Sequence, residues 1–261
     1  MTALLDERTG APDRFRAPLY TVTEAARYLG VPESTLGGWA SGYRSRPAGR
    51  ARTRPILTTV ARQRSRRDAV IPFIGLAEGL VLTALRRNGV PLQRVRPALD
   101  RLEERFGIRH ALASKWLYTD GVEVLYDYAE PEDGAELQDG GEPEDGAGAA
   151  PGRTADVAAS DVAVVRSDQR VLDLVVESHL RRIEFAADGY ACLIRLPGYQ
   201  TAEVVVDPAR GFGQPVFTSG GARVEDVLSM IRAGEDLATV AAEYRVPADQ
   251  LRDAVRRDAR R

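Results

Sequence analysis

The sequence predicts a mainly α-helical chain with a smaller α+β part, and three observations carry that prediction. Apolar residues recur at helical intervals through residues 22–40 and 73–106. Short apolar runs bounded by turn residues, followed by three amphipathic stretches, fill the second half. Between the halves lies a stretch of Glu, Asp, Gly, Pro and Ala with almost no large apolar side chain, too little to offset the entropy of ordering.

Residues 1–18 hold Gly10, Pro12 and Pro18, show no periodicity and read as a mobile arm, with order beginning near Leu19. Thr21 followed three residues later by Glu24 has the spacing of a capping box, which predicts a helix over 22–29. Gly30 permits a sharp turn, and a second helix over about 32–40 places Leu36 and Trp39 on one face. Residues 73–106 form a helical hairpin turning at Gly89, in which Pro97 either kinks the second helix or begins its main segment. Alternation around Asp120-Gly121 predicts a short β-hairpin. Beyond the acidic stretch, residues 162–165, 181–185, 191–196 and 203–206 read as strands, with Asp188-Gly189 as a turn. Three short helices parted at Gly234 and at Val246-Pro247 end the chain, either a helical cap or a second helix-turn-helix. The expected division is an arm over 1–18, a helix-turn-helix and hairpin domain over 19–128, a disordered acidic linker over 129–160, and an α+β and three-helix domain over 161–261.

With 261 residues, 44% hydrophobic and 28% charged, the composition is that of a soluble globular chain, and no run approaches a membrane span, which points to the cytoplasm. One cysteine, Cys192, and two histidines, His110 and His179, supply neither a metal-ligand spacing nor a nucleophile with its base, so no metal, no cofactor and no catalysis are expected. A net charge of −2 hides a strong polarity. Nine arginines and no acid fall between Arg44 and Arg67, whereas eleven acids and no base fall between Trp116 and Gly152.

Residues 22–40 fit a DNA-binding helix-turn-helix: Ala26 is the small helix contact, Gly30 the turn, and Val31, Leu36 and Trp39 the inward face. Glu33, Ser34, Thr35, Gly37, Gly38 and Ser41 then face the groove. Ser34 and Thr35 bond bases or phosphate, and the glycines allow close approach. Arg44, Arg46, Arg50, Arg52 and Arg54 supply phosphate or minor-groove contacts beside the recognition helix. An ordinary helical hairpin and a disordered arginine loop are the bland alternatives. A Val-Pro turn recurs at 30–36, 89–95 and 245–251; Arg245 replaces the glycine in the third copy, where protein contact is favoured over DNA.

The start YTVTEAARYLGVPESTLGGWA resembles a MerR-type winged helix-turn-helix. Together with IPFIGLAEGLVLTALRRNGVPLQRVRPALDRLEERFG, LYTDGVEVLYDY and GYQTAEVVVDPARGFGQPVFTSGGARVEDVLSMIRAGEDLATVAAEYRVPADQLRDAVR, the chain is similar to VapB-like antitoxins of type II toxin-antitoxin pairs. Their C-terminal part belongs to the domain of unknown function family number 433. Arg223 matches a Gly-Thr-Arg of shorter members, with the threonine lost. The resemblance implies repression of its own promoter by binding double-stranded DNA, and because symmetric half-sites call for a symmetric protein, a homodimer through the hairpin over 73–106 is expected. It also implies neutralisation of a PIN-like ribonuclease toxin, whose acidic metal centre Arg223 or Arg232 would approach. A stand-alone MerR-like transcription regulator with a ligand-sensing C-terminal domain is the alternative.

Overall fold

The first helix is started by its own side chains. The Thr21 hydroxyl accepts the N–H of Glu24 at 3.1 Å while the Glu24 carboxylate accepts the N–H of Thr21 at 2.9 Å, and α1 runs Val22–Leu29. The computed structural model describes residues 11–42, 53–61, 64–65, 67–90, 92–119 and 181–259. The expected hairpin at Asp120-Gly121, the acidic linker and the strand expected over 162–165 lie outside them. Gly30, at φ 66, ends α1 in the left-handed region, and α2 follows over Glu33–Ser41.

Helix α3 spans Phe73–Arg87, and every residue from Phe73 to Leu85 is buried. A helix apolar on all sides belongs in the middle of a core. Helix α4, Leu92–Phe106, returns after the turn at Gly89 and carries Pro97 within it. Residues Trp116–Thr119 form a single helical turn, α5, where alternation predicts a strand.

The second half opens with an antiparallel meander in the order β1-β2-β3-β4, made of Ile183–Phe185, Ala191–Arg195, Val204–Val206 and Val216–Phe217. Gly189, at φ 81, turns β1 into β2 as Asp188-Gly189 predicts. The two-residue β4 is too short for its periodicity to be read from sequence. Three helices close the fold, α6 over Val224–Arg232, α7 over Leu237–Tyr244 and α8 over Ala248–Asp258. The fold class is therefore the expected one, mainly helical with a small sheet.

One hydrophobic cluster runs from Leu29, Leu36 and Trp39 through Leu76 and Leu80 of α3 to Ile194, Val206, Phe217 and Leu251. Helix α3 packs on α1 and on β2, so it is covered from both sides by its own chain. The acidic stretch divides the chain in sequence, yet the described residues on either side of it share one core. The apolar surface of α3, from which dimerisation through residues 73–106 was expected, is occupied within the chain. Order also begins earlier than Leu19. The Arg14 carbonyl accepts the N–H of Ile74 at 2.9 Å, its guanidinium pairs with Asp188, and Phe15 packs on His110 and Tyr190 with ring centroids 5.6 and 5.3 Å away.

Candidate nucleic-acid interface and C-terminal partner surface

At about 100° per residue, positions 34, 38 and 41 of a helix fall on one stripe and positions 36 and 39 on the opposite one. The structure follows that arithmetic. Leu36 and Trp39 are buried at 0% and 1% exposure, while Ser34 and Ser41 are exposed. Gly38 and Thr35 are half-buried, with Thr35 on the flank of the stripe. A side chain at Gly37 would face Val22 of α1 at 3.8 Å, so Gly37 serves helix packing rather than the groove. The Ser41 hydroxyl donates to the Gly37 carbonyl at 2.7 Å and keeps its lone pairs for a donor. The outer stripe of α2 is thus small, polar and uncharged.

The residues on either side of the arginine tract meet at that helix. The Trp39 carbonyl, in the last turn of α2, accepts the N–H groups of Ile56 and Leu57 at 2.9 and 3.1 Å. Gly42, at φ 74, lies so close to the Thr53 carbonyl that any Cβ there would collide with it. Gly42 and Thr53, which bracket residues 43–52 in sequence, therefore meet at the C-terminal end of α2. Arg44, Arg46, Arg50 and Arg52 lie outside the described residues. Arg54 is exposed, and its carbonyl accepts a bond from the Arg96 guanidinium.

A second arginine-bearing segment lies over residues 60–71. The N–H of Val60 bonds the Val70 carbonyl at 2.9 Å, and Tyr20 and Ile71 exchange bonds at 3.0 Å, so residues 60 and 70–71 are aligned on the strand-like start of the helix-turn-helix. At the tip the Asp68 carboxylate accepts the N–H groups of Ser65 and Arg64 at 2.8 and 2.9 Å, and those bonds hold its carboxyl below the ordinary range. Exposed Arg64 and Arg67 flank it. The base of this wing is fixed by the buried Glu78 of α3, whose carboxylate accepts the Thr58 N–H at 2.7 Å and hydroxyl at 2.9 Å and meets His110 Nδ1 at 3.0 Å. Periodicity marked position 78 only as helical, so this buried anchor could not be read from it.

The two expected partner arginines differ. Arg223 precedes α6, is exposed and makes no ion pair among the described residues. Arg232 is closed into its own fold, 2.8 Å from Glu225 and 2.8 Å from Asp258, which raises its already high pKa. The half-buried Cys192 thiol donates to the Glu184 carbonyl at 3.4 Å, and burial raises its pKa, which keeps it a thiol. His179 lies outside the described residues. Among the described residues no cluster of His, Cys, Asp and Glu could hold a metal ion, and no helix is long and apolar enough to cross a membrane.

The helix-turn-helix and the C-terminal part touch directly. The buried Tyr20 hydroxyl donates to the Gly213 carbonyl at 2.7 Å, and burial raises its pKa well above the ordinary range, so it stays a donor. From α8, Arg257 reaches the carbonyls of Arg27 and Tyr28 at 3.3 and 3.1 Å, which are in the last turn of α1. Its guanidinium stacks on Tyr199, 4.2 Å from the ring centre. None of these contacts has a signal in sequence spacing.

Residues 18–99 match a family model described as "Putative DNA-binding HTH domain", and residues 204–256 match one described as "Protein of unknown function (DUF433)". The first match covers α1, α2, both arginine-bearing loops and α3; the second covers β3 to α8. The chain is similar to "Putative antitoxin VapB45" of Mycobacterium tuberculosis (strain ATCC 25618 / H37Rv), 47% identical over 244 residues that cover 93% of this chain and 94% of that protein. It is also similar to "Uncharacterized protein Rv2308" of the same strain, 26% identical over 91% of this chain and 88% of the other. Among solved structures, the crystal structure of Rv2018 from Mycobacterium tuberculosis superposes with a TM-score of 0.68 at 42% identity, covering 93% of this chain and 100% of that one.

Proposed function

As the chain belongs to the family of the protein named "Putative antitoxin VapB45", we propose that it is the antitoxin of a toxin-antitoxin pair. In this reading it represses its own promoter through residues 19–128 and neutralises a PIN-like ribonuclease through residues 161–261. The observation that carries the DNA half is the outer stripe of α2, Ser34, Gly38 and Ser41, at whose C-terminal end Gly42 and Thr53, the residues that bracket the arginine tract in sequence, meet. A small polar stripe lets the helix sit deep in the major groove, and the arginines clamp phosphate on either side of it. Two copies on a symmetric operator would double the contact, as one short recognition helix binds weakly alone. On the C-terminal side Arg223 is the better placed of the two arginines to meet a toxin carboxylate, because Arg232 would first have to leave Glu225 and Asp258. The cytoplasm is the compartment this role requires.

The test is direct binding to the promoter duplex. Replacing Arg44, Arg46 and Arg50 together by alanine weakens binding to every sequence and flattens the salt slope by up to about 0.9 per lost phosphate contact. Ser34→Ala changes sequence preference instead. Unchanged affinity and slope in the triple variant would remove the tract from the interface. Light scattering reads the oligomeric state, and co-expression with the neighbouring gene product reads toxin capture.

A second reading, a stand-alone MerR-like regulator that senses a ligand, is favoured by one feature. A cleft of about 480 Å³ lies between the wing base and α4, bordered by Arg54, Glu78, Arg96 and His110. That cleft adjoins the DNA-binding part, whereas the sensing role was expected in the C-terminal domain. A neighbouring PIN-like reading frame supports the antitoxin, and an efflux gene supports the sensor.

A further inference from the structure

Phe212 is 72% exposed, an unusual position for a large apolar side chain. Its backbone is unusual too. Gly211, Phe212 and Gly213 lie at φ 56, 55 and 75, three left-handed residues in a row with a phenylalanine at the centre. L side chains avoid that region, and an exposed one gains no burial to offset the strain. The turn is held rigidly all the same. The N–H of Gly213 bonds the Arg210 carbonyl at 3.1 Å, that of Gln214 bonds Gly211 at 3.0 Å, and the Gly213 carbonyl accepts the buried Tyr20 hydroxyl. A Cβ at Gly213 would meet that hydroxyl at 2.8 Å, and one at Gly211 would meet Val216 at 3.0 Å, so neither glycine accepts a larger residue in place.

Two arginines stand at the turn. The Arg210 side chain is 67% exposed and 3.4 Å from Asp207, and the stem of exposed Arg223 lies 3.8 Å from where a Cβ of Gly211 would be. We infer that this turn is a protein-docking anchor, in which Phe212 enters an apolar recess of the toxin and Arg210 and Arg223 meet carboxylates at the rim of that recess. The inference rests on the antitoxin reading above and adds the residues that make the contact. A rigid aromatic has little freedom left to lose on binding, and aromatic and arginine anchors carry most of the energy of protein interfaces. Charge separates this occupant from duplex DNA. Asp207 pairs with Arg210, Glu225 pairs with Arg232, and Asp226 follows Arg223 in the first turn of α6, so carboxylates alternate with the arginines and leave no uniformly basic face for a polyphosphate. Carboxylates on a protein can alternate with them; phosphates along a duplex cannot.

The experiment uses the full chain co-expressed with the product of the neighbouring toxin gene. Phe212→Asn keeps a residue that tolerates the left-handed region, and Phe212→Gly removes the strain, so both melt at or above the wild-type temperature. Each is expected to raise the dissociation constant for the toxin at least about 30-fold while affinity for the promoter duplex stays the same. Arg210→Ser combined with Arg223→Ser slows association and removes its dependence on salt. Should wild type and both Phe212 variants capture the toxin equally, this inference alone is overturned. If the variants lose promoter binding but keep the toxin, the patch is a DNA contact and the inference is overturned as well. A wild-type chain that captures no product of the neighbouring gene removes the antitoxin reading, and this assignment with it.

Discussion

Arg257 lies 230 residues beyond Arg27, and its guanidinium closes the C-terminal end of α1. Helix carbonyls in the last turn lack intrahelical partners and carry the negative end of the helix dipole, so an arginine from elsewhere in the chain satisfies both needs. The side chain is part-buried, and solvent screens some of that gain. Arg257→Ala is expected to cost about 1–2 kcal/mol, read as a fall in melting temperature of about 2–8 °C. Lysine restores little of it, because the guanidinium reaches the Arg27 and Tyr28 carbonyls through one nitrogen and the Pro197 carbonyl through another while stacking on Tyr199, which a single ammonium cannot do. Four residues earlier, buried Asp253 accepts the N–H groups of Gln200, Thr201 and Ala202 at 2.6, 2.8 and 3.0 Å. Burial opposes its ionisation; the three N–H groups and Arg256 outweigh that and hold its carboxyl below the ordinary range. A carboxyl lowered on folding stabilises the fold above the unfolded value near 4, and the contribution disappears as pH falls through the folded value. Asp253→Asn is therefore less stable than wild type at pH 7, and the gap in urea midpoint narrows steadily below about pH 4. A gap that is constant with pH would mean that the anion has no part in holding the loop.

At the scale of elements, the three Val-Pro turns are one device used three times. The N–H groups of Val31, Val90 and Val246 bond the carbonyls five residues back, Ala26, Leu85 and Ala241, at 3.0, 3.0 and 3.1 Å. In each case the preceding residue is left-handed: Gly30 at φ 66, Gly89 at φ 85 and Arg245 at φ 53. This is the Schellman closure of a helix, and in the first and third copies Pro32 and Pro247 cap the start of the next one. The echo was legible in sequence because the closure dictates residue types at fixed spacing, and the boundaries of α1, the turn after α3 and the break between α7 and α8 followed from it. Arg245 breaks the rule without altering the geometry. As an exposed non-glycine at φ 53 it costs about 1 kcal/mol, so Arg245→Gly is expected to stabilise the chain by about that amount, seen as a rise in urea midpoint with an unchanged slope. A loss of stability would show that the arginine side chain holds something in place. What stayed illegible at this scale had no period to read. The strand β4 has two residues, α5 is one turn inside an alternating stretch, and the left-handed turn at Phe212 is a run that no propensity favours. The wing was visible only as charge, since its strand-like base is set by Glu78 reaching from α3 to Thr58.

For the molecule as a whole, sequence composition and core packing point in opposite directions. The acidic stretch over 129–160 divides the chain by composition, which suggests two bodies that work apart. Across that division run the Arg14 pair with Asp188, the Lys115 N–H to the Gly189 carbonyl at 2.7 Å, the Tyr20 bond to Gly213 and the Arg257 bonds to α1. They surround a common apolar cluster in which α3 is covered by α1 on one side and β2 on the other. Separating the halves would expose that helix, and burial of a single large apolar side chain is worth about 1.5–3 kcal/mol, so the association outweighs the loss of one covalent link by a wide margin. The expected outcome follows from placing a protease site in exchange for residues 140–146 and cutting the folded protein there. The two fragments elute together from a sizing column and unfold in one transition. Fragments that separate, or that melt at two temperatures, would show that the shared cluster is too weak to join them. If they remain together, the surface at Phe212 and the stripe of α2 are fixed to one body through Tyr20, which binds the turn and begins the helix-turn-helix. Point substitutions in the full chain, rather than truncation, are then the means of telling the DNA-binding role from the partner-binding role, because each truncation would expose α3 and lose both.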